Sequence, residues 1–340
     1  MTAAIDLSLW STDISFLRRT TFERRPEGAH GMHARASWVP LEQFFLEHGL
    51  TLWIVAGEDG LLPPDDTERA LDGFTHWHPA SLDRPPVRFY PHLSPTICPA
   101  RTAEGQDVMI KVVSIGADGA RHREVLERLA TGRTATLIGN HCIPVLKWIT
   151  LEQICFAVHP MLSFRDMNTH CAHENLGDLI GTIRQMSEGL AFCHERLVAH
   201  LDCFDGNWLG NLNTYEGQEF PYSPPSERRF KPLRSLFPFK IYLIDFECAV
   251  SFSPDSVPST RLVTGFPSDG YDRPMPPEME ATEPYDPFAV DIWQLGFYFD
   301  RLSCVSPMSR RLFHPNLSAA WTSPGISASA IFSYAGTSAR

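Results

Sequence analysis

The sequence predicts an α+β fold. Extended apolar segments dominate from about residue 89 to residue 162, and from residue 175 the apolar residues recur at helical spacing instead. A length of 340 residues is enough for one large domain, or two small ones, with a full core.

The elements follow in order. Residues 1–37 carry mixed charge with little periodicity and are expected to be mostly irregular. Leu41, Phe44, Phe45 and Gly49, then Leu52 and Trp53, predict a short helix followed by a strand. Residues 56–88 are rich in Gly, Pro and Asp and read as a loop-bearing linker, so residues 1–88 form a partly ordered N-terminal extension. Residues 101–106 predict a turn before a buried strand over 108–113. Val125, Leu126 and Leu129 place a helix over 120–130, and further strands are expected over 143–148 and 154–162. Residues 175–195 present Leu176, Leu179, Ile180 and Ile183, then Met186, Leu190 and Cys193, on one face of a long amphipathic helix. Residues 301–340 contain no Asp or Glu, four Arg and nine Ser, and are expected to be a disordered tail after a domain over 89–300.

Composition narrows the function classes. A net charge of −11 argues against nonspecific nucleic-acid binding. No run reaches the roughly 18 apolar residues of a membrane helix. The start Met1-Thr2-Ala3-Ala4-Ile5-Asp6 lacks the basic, then apolar, pattern of a signal peptide, so cytoplasm or nucleus is expected. Eight cysteines without a Cys-x-x-Cys pair read as reduced thiols. His76-x-His78, His141-Cys142 and Cys193-His194 show no repeated half-site of the kind zinc requires.

The chemistry-bearing residues form an ordered set. His200-Leu201-Asp202 is followed by Asn207, and the apolar run Ile241-Tyr242-Leu243-Ile244 ends in Asp245-Phe246. The set resembles the parts that phosphoryl transfer uses in protein kinases: one Asp near the attacking hydroxyl, then an Asn and a second Asp on magnesium. Upstream lies Val108-Met109-Ile110-Lys111, with Glu124 thirteen residues after the lysine. Downstream lie Pro276-Pro277-Glu278 and, thirteen residues on, Asp291-Ile292-Trp293-Gln294-Leu295-Gly296. A lone Asp after a strand usually caps a turn, and a lone Lys and Glu are usually surface residues. The order of the whole set is what carries weight.

In that order the motifs resemble those of the eukaryotic protein kinase superfamily over residues 89–300, and the preface from Trp38 to Trp53 resembles divergent fungal kinase-like proteins. The resemblance implies a bilobal fold with a small β-rich N-terminal lobe and a larger helical C-terminal lobe. With 44 residues after Gly296, the second lobe is expected to be truncated. It implies ATP and magnesium as cofactors. Lys111 would hold the α- and β-phosphates, Glu124 would pair with Lys111, and the backbone of Leu162 would bind adenine. Asp202 would act as catalytic base on a protein hydroxyl, serine or threonine rather than tyrosine, with Asn207 and Asp245 on the metal.

The chain departs from the family pattern in places. Pro91-His92-Leu93-Ser94-Pro95-Thr96-Ile97 has no glycine where a Gly-rich loop would approach the phosphates. Leu201 replaces an Arg that pairs with a phosphorylated activation loop, Phe204 replaces a Lys that contacts the γ-phosphate, and Glu247 replaces a Gly. Residues 208–240 form an insertion whose Arg228, Arg229, Lys231 and Arg234 read as a solvated loop. These departures keep a second expectation open: a pseudokinase that serves as a nucleotide-responsive or nucleotide-independent binding module.

Overall fold

Alternation along Val108-Met109-Ile110-Lys111-Val112 organises the first part of the fold, because successive side chains of a strand face opposite sides of a sheet. In the computed structural model, which describes residues 5, 7, 14, 37–56, 60–65, 67, 70–77, 90–91, 94–162, 176–213, 238–268, 271–280 and 282–305, Val108, Ile110 and Val112 face the core. The fold is α+β and divides into two units. One contains Met1–Arg123, Pro144–Phe164 and Asn211–Phe230, and the other Glu124–Ile143, Arg165–Gly210 and Lys231–Arg340.

The first unit is built on a five-stranded antiparallel sheet. Numbered along the chain, its strands are β1 (Leu50–Leu52), β6 (Ile97–Thr102), β7 (Asp107–Ile115), β8 (Lys147–Leu151) and β9 (Ile154–Pro160), in the spatial order β1-β6-β7-β9-β8. Every residue of β9 is buried, His159 included, so that strand shows no inside–outside alternation. Helix α1 (Glu42–Glu47) sets Phe45 edge-on against Phe156, with ring centroids 5.1 Å apart. Trp38 packs 5.9 Å from the same Phe156 ring, and its indole N–H donates to the Pro95 carbonyl at 2.9 Å. The helix and strand expected from Leu41 to Trp53 therefore complete the sheet and its core.

Three local expectations shift. Arg101 and Thr102 remain in β6, and the turn tightens to residues 103–106, where Gly105 takes a positive φ of 82°. The strand expected over 143–148 lies instead at Lys147–Leu151. Pro144 has no N–H for a ladder, and Ile143 is buried for another reason: its N–H donates to the Leu243 carbonyl at 3.0 Å. Strand β2 (Ile54–Ala56) ends where the expected linker begins, and that segment contains strands β3 (Gly60–Leu62) and β4 (His76–Trp77). Strands β2, β3 and β5 (Tyr90–Pro91) form a small sheet that buries Leu61 with Trp53, Tyr90 and Met161, while β4 pairs in parallel with β12 (Leu212–Asn213).

A bulge in β7 at Val113 shifts the register with β9, and pairing resumes at Ser114 and Ile115. Gly119 lies against it with φ +79°, and a Cβ there would stand 2.2 Å from the Val113 carbonyl oxygen. Glycine lets the chain leave the sheet at this point and enter helix α2 (Ala120–Leu129). Near the other end of β7, Asp107 is fully buried and accepts from the Arg101 Nε at 3.0 Å, and Arg101 reaches Asp65 at 2.6 Å. Each buried charge has an opposite partner, as the desolvation cost demands.

His159 on β9 gives a pH-dependent term. It is buried, its Nδ1 donates to the Pro144 carbonyl at 2.9 Å, and its pKa is pushed down to about 4 by burial, with the nearby Lys111 cation adding and the Pro144 bond opposing. An unfolded chain takes up this proton near pH 6.5 and the folded chain does not. Stability therefore rises with pH through the window from 4 to 6.5 and is lost as pH falls through it. We expect wild type to lose roughly 2 kcal/mol more than His159→Gln between pH 7 and pH 4.5 in urea unfolding. Parallel curves for the two proteins would refute this assignment.

The second unit is mainly helical. Helix α2 continues into it at Glu124, followed by α3 (Leu176–Glu195), α4 (Pro277–Glu280) and α5 (Pro287–Val305). Helix α3 matches the expected span and buries Leu179, Met186, Leu190 and Cys193, whereas Ile180 of the expected apolar face is exposed. Two short antiparallel ladders accompany it. One joins β10 (Val198–Ala199) to β14 (Val250–Ser251), and the other joins β11 (Trp208–Gly210) to β13 (Ile241–Leu243). Helix α5 runs to Val305, five residues into the expected tail, and residues 306–340 lie outside the described residues, as does most of residues 1–37. Among the described residues no helix is long and apolar enough to cross a membrane.

Candidate active site

The two ladders of the second unit bring distant motif residues together. Residues 200–207 connect β10 to β11, and residues 244–249 connect β13 to β14. Because β10 pairs with β14 and β11 with β13, the two connections are pinned at both ends and run side by side. The Ile244 N–H donates to the Asn207 carbonyl at 3.0 Å and joins them at their β11/β13 end.

Asp202 and Asn207 meet directly. Asn207 Nδ2 donates to the Asp202 carbonyl oxygen at 2.8 Å and to Asp202 Oδ2 at 2.7 Å. The tight 3-10 turn Asp205–Asn207 makes that approach possible. The other carboxylate oxygen, Asp202 Oδ1, is buried without a hydrogen bond and has Arg273 Nε at 3.4 Å. Burial pushes the Asp202 carboxyl up from its ordinary range. The Asp245 charge adds to this, while Arg273, His200 and the Asn207 bond pull it down. Asp245 itself begins the turn Phe246–Cys248.

Helix α5 fixes the backbone of this loop. Asp291, fully buried, accepts from the His200 N–H at 2.8 Å, the Leu201 N–H at 2.6 Å and His194 Nε2 at 2.9 Å. One turn further on, Gln294 Oε1 accepts from the Cys203 N–H at 2.9 Å, and its Nε2 donates to the Leu201 carbonyl and to Tyr271 Oη. His200 links the two connections: its Nε2 donates to the Ile244 carbonyl at 2.9 Å, its Nδ1 accepts from the Asp202 N–H, and its ring packs edge-on to Phe246.

Leu201 and Asp245 both adopt left-handed backbone, with φ of 63° and 61°. Such a conformation costs a non-glycine residue roughly 1–2 kcal/mol and persists only where the surroundings impose it. For Leu201 the imposition is visible, since both its N–H and its carbonyl are bonded to α5.

The other expected site residues are carried by other elements. Lys111 is half-buried on β7 of the first unit, opposite Ile97 and Ala157. Leu162 is buried just beyond β9, where the preceding Met161 carbonyl already accepts from Thr75 Oγ1 at 2.7 Å. Glu124 is exposed on α2 and accepts from Ser251 Oγ at 2.9 Å. Ser94, Pro95 and Thr96 of the glycine-free segment form a turn in which the Ser94 and Thr96 hydroxyls bond at 2.7 Å. Among the described residues no three His, Cys, Asp or Glu side chains form a metal-ligand group.

Two participants escape a reading of the sequence. Tyr271 and Arg273 reach the Leu201 carbonyl and the Asp202 carboxylate from about seventy residues away. No local pattern marks them; only their place a few residues before Pro276-Pro277-Glu278 hints at a role. Comparison with protein-family models and with curated proteins finds no match for the chain.

Proposed function

We propose that the chain is a divergent protein-kinase-like phosphotransferase that moves the γ-phosphoryl group of ATP to a protein serine or threonine hydroxyl. One observation carries this reading: Asp202, Asn207 and Asp245, spread over the sequence, lie on two adjoining connections whose backbone is held by Asp291 and His200. A sheet-based first unit, a helix that follows the Lys111 strand, and a helical second unit support a bilobal kinase-like fold.

In this reading Asp202 accepts the hydroxyl proton. Its raised pKa suits a group that takes a proton during the reaction, and the Asn207 amide holds its carboxylate in place. The donor chemistry fits magnesium. Asp245 supplies a carboxylate, and Asn207, whose Nδ2 is committed to Asp202, offers its Oδ1; a hard cation that keeps waters and phosphate oxygens in its shell needs few protein ligands. When bound, magnesium neutralises charge on the β- and γ-phosphate oxygens. Lys111 is assigned to the α- and β-phosphates, Glu124 to Lys111, and the Leu162 backbone to adenine.

A pseudokinase is the second reading, favoured by the buried Phe204 and by the glycine-free turn at Ser94–Thr96. Thermal shift with ATP, with and without magnesium, followed by transfer of labelled phosphate, separates the two. The expected result is a magnesium-dependent rise in Tm together with autophosphorylation. A rise without transfer would favour the binding module, and the absence of both would reject the phosphotransferase.

A further inference from the structure

We infer that Arg273 is a catalytic residue that grips the oxygens of the phosphoryl group being transferred; the inference rests on the phosphotransferase reading. Three features of its surroundings lead there. Arg273 Nε lies 3.4 Å from Asp202 Oδ1, an oxygen that is buried and has no hydrogen bond. The guanidinium carbon stands 5.8 Å from the centroid of the Phe204 ring, so an apolar face backs the cation. The side chain remains 42% exposed, and only its Nε edge is directed at Asp202, which leaves the Nη groups for an incoming anion.

The arrangement has a chemical logic. Asp202 is the group to which the hydroxyl proton goes, so the phosphorus under attack must lie within a few ångströms of it. A guanidinium fixed beside that carboxylate presents paired N–H donors to the same point. Phe204 brings no charge to the loop, and Arg273 brings one from a different segment of the chain. In the step itself, a bond forms between the substrate hydroxyl oxygen and the γ-phosphorus. The bond from that phosphorus to the β–γ bridging oxygen breaks, ADP leaves with the electron pair, and the hydroxyl proton passes to Asp202. Arg273 stays protonated throughout and balances the charge on the non-bridging oxygens.

The test uses the full-length chain and two readouts. The first is magnesium-dependent phosphate release or autophosphorylation from labelled ATP. The second is stabilisation by inorganic tripolyphosphate without metal, read as a Tm shift. Arg273→Ala should lower kcat about 100-fold with the KM for ATP changed less than about threefold, and Arg273→Lys should recover part of the rate. The tripolyphosphate shift should be present in wild type and lost in Arg273→Ala, whose own Tm should stay near that of wild type because the residue is half-exposed. An active wild type with an equally active or faster Arg273→Ala overturns the inference and leaves the phosphotransferase reading standing. An inactive wild type whose tripolyphosphate shift depends on Arg273 rejects that reading and keeps the anion-gripping role. Loss of neither signal on substitution, or no signal in wild type, overturns the inference.

Discussion

Asp245→Asn is expected to reduce phosphoryl transfer by roughly 100-fold or more while leaving the fold intact. The loss follows from charge. Asp245 is the single carboxylate assigned to magnesium beside the neutral Asn207, and an amide binds a hard divalent cation less well than a carboxylate does. The fold should survive because the backbone at this position is left-handed, with φ 61°, and asparagine is among the residues that tolerate that conformation best. Transfer of labelled phosphate at saturating ATP, together with a thermal melt of each protein, checks both halves. Robust transfer by the variant would defeat the mechanism whatever its Tm.

The second large effect belongs to a residue that never meets substrate in this reading. Asp291→Ala strips the acceptor from three donors at once: the His200 N–H, the Leu201 N–H and His194 Nε2. A buried donor left without a partner costs about 1–3 kcal/mol, and partial entry of water returns some of that, so a loss of roughly 3–5 kcal/mol is expected. Native domains are stable by only about 5–15 kcal/mol, so the variant stands close to unfolding at ordinary temperature. Asp291→Asn preserves shape and one acceptor oxygen and should fall between the two. Urea unfolding of the three proteins measures the series. A loss under about 1 kcal/mol for the alanine variant would show that the 200–207 connection holds its shape without α5.

Several features of this protein can be read from its residues. The apolar spacing from Leu176 to Cys193 gives a long helix, and it is there. The alternation around Lys111 gives a strand, and β7 extends it to nine residues. Those elements carry their own signal because the hydrophobic period alone decides them. Less local features stay hidden. Ile143 and Trp148 look like parts of one strand, but Ile143 bonds to Leu243 about a hundred residues away, and the ladder begins only at Lys147. Leu61 lies in a stretch whose composition signals loop, and its burial against Trp53 and Tyr90 depends on partners the period cannot show.

The candidate site divides the same way. Asp202, Asn207 and Asp245 were legible because their residue types and order imply a chemistry, and the folded chain adds why the three adjoin: two short ladders bracket both connections. Arg273 and Tyr271 were not legible because their roles depend on a chain reversal that leaves no periodic trace. The roles of Gln294 and His200 as backbone ties became visible only with the donors and acceptors in place.

The bonds from α5 also set an order of events during synthesis. The amides of His200, Leu201 and Cys203 find their acceptors 90 or 91 residues later in the chain. A growing polypeptide that has already made the strand of Lys111 and all of α3 still has no means of holding Leu201 in its left-handed conformation. That segment must wait until Asp291 and Gln294 have emerged, and contacts of such long sequence separation are the slow ones to form. The strand of Lys111 and helix α3 are thus complete before the 200–207 segment acquires the acceptors on α5 that fix its backbone.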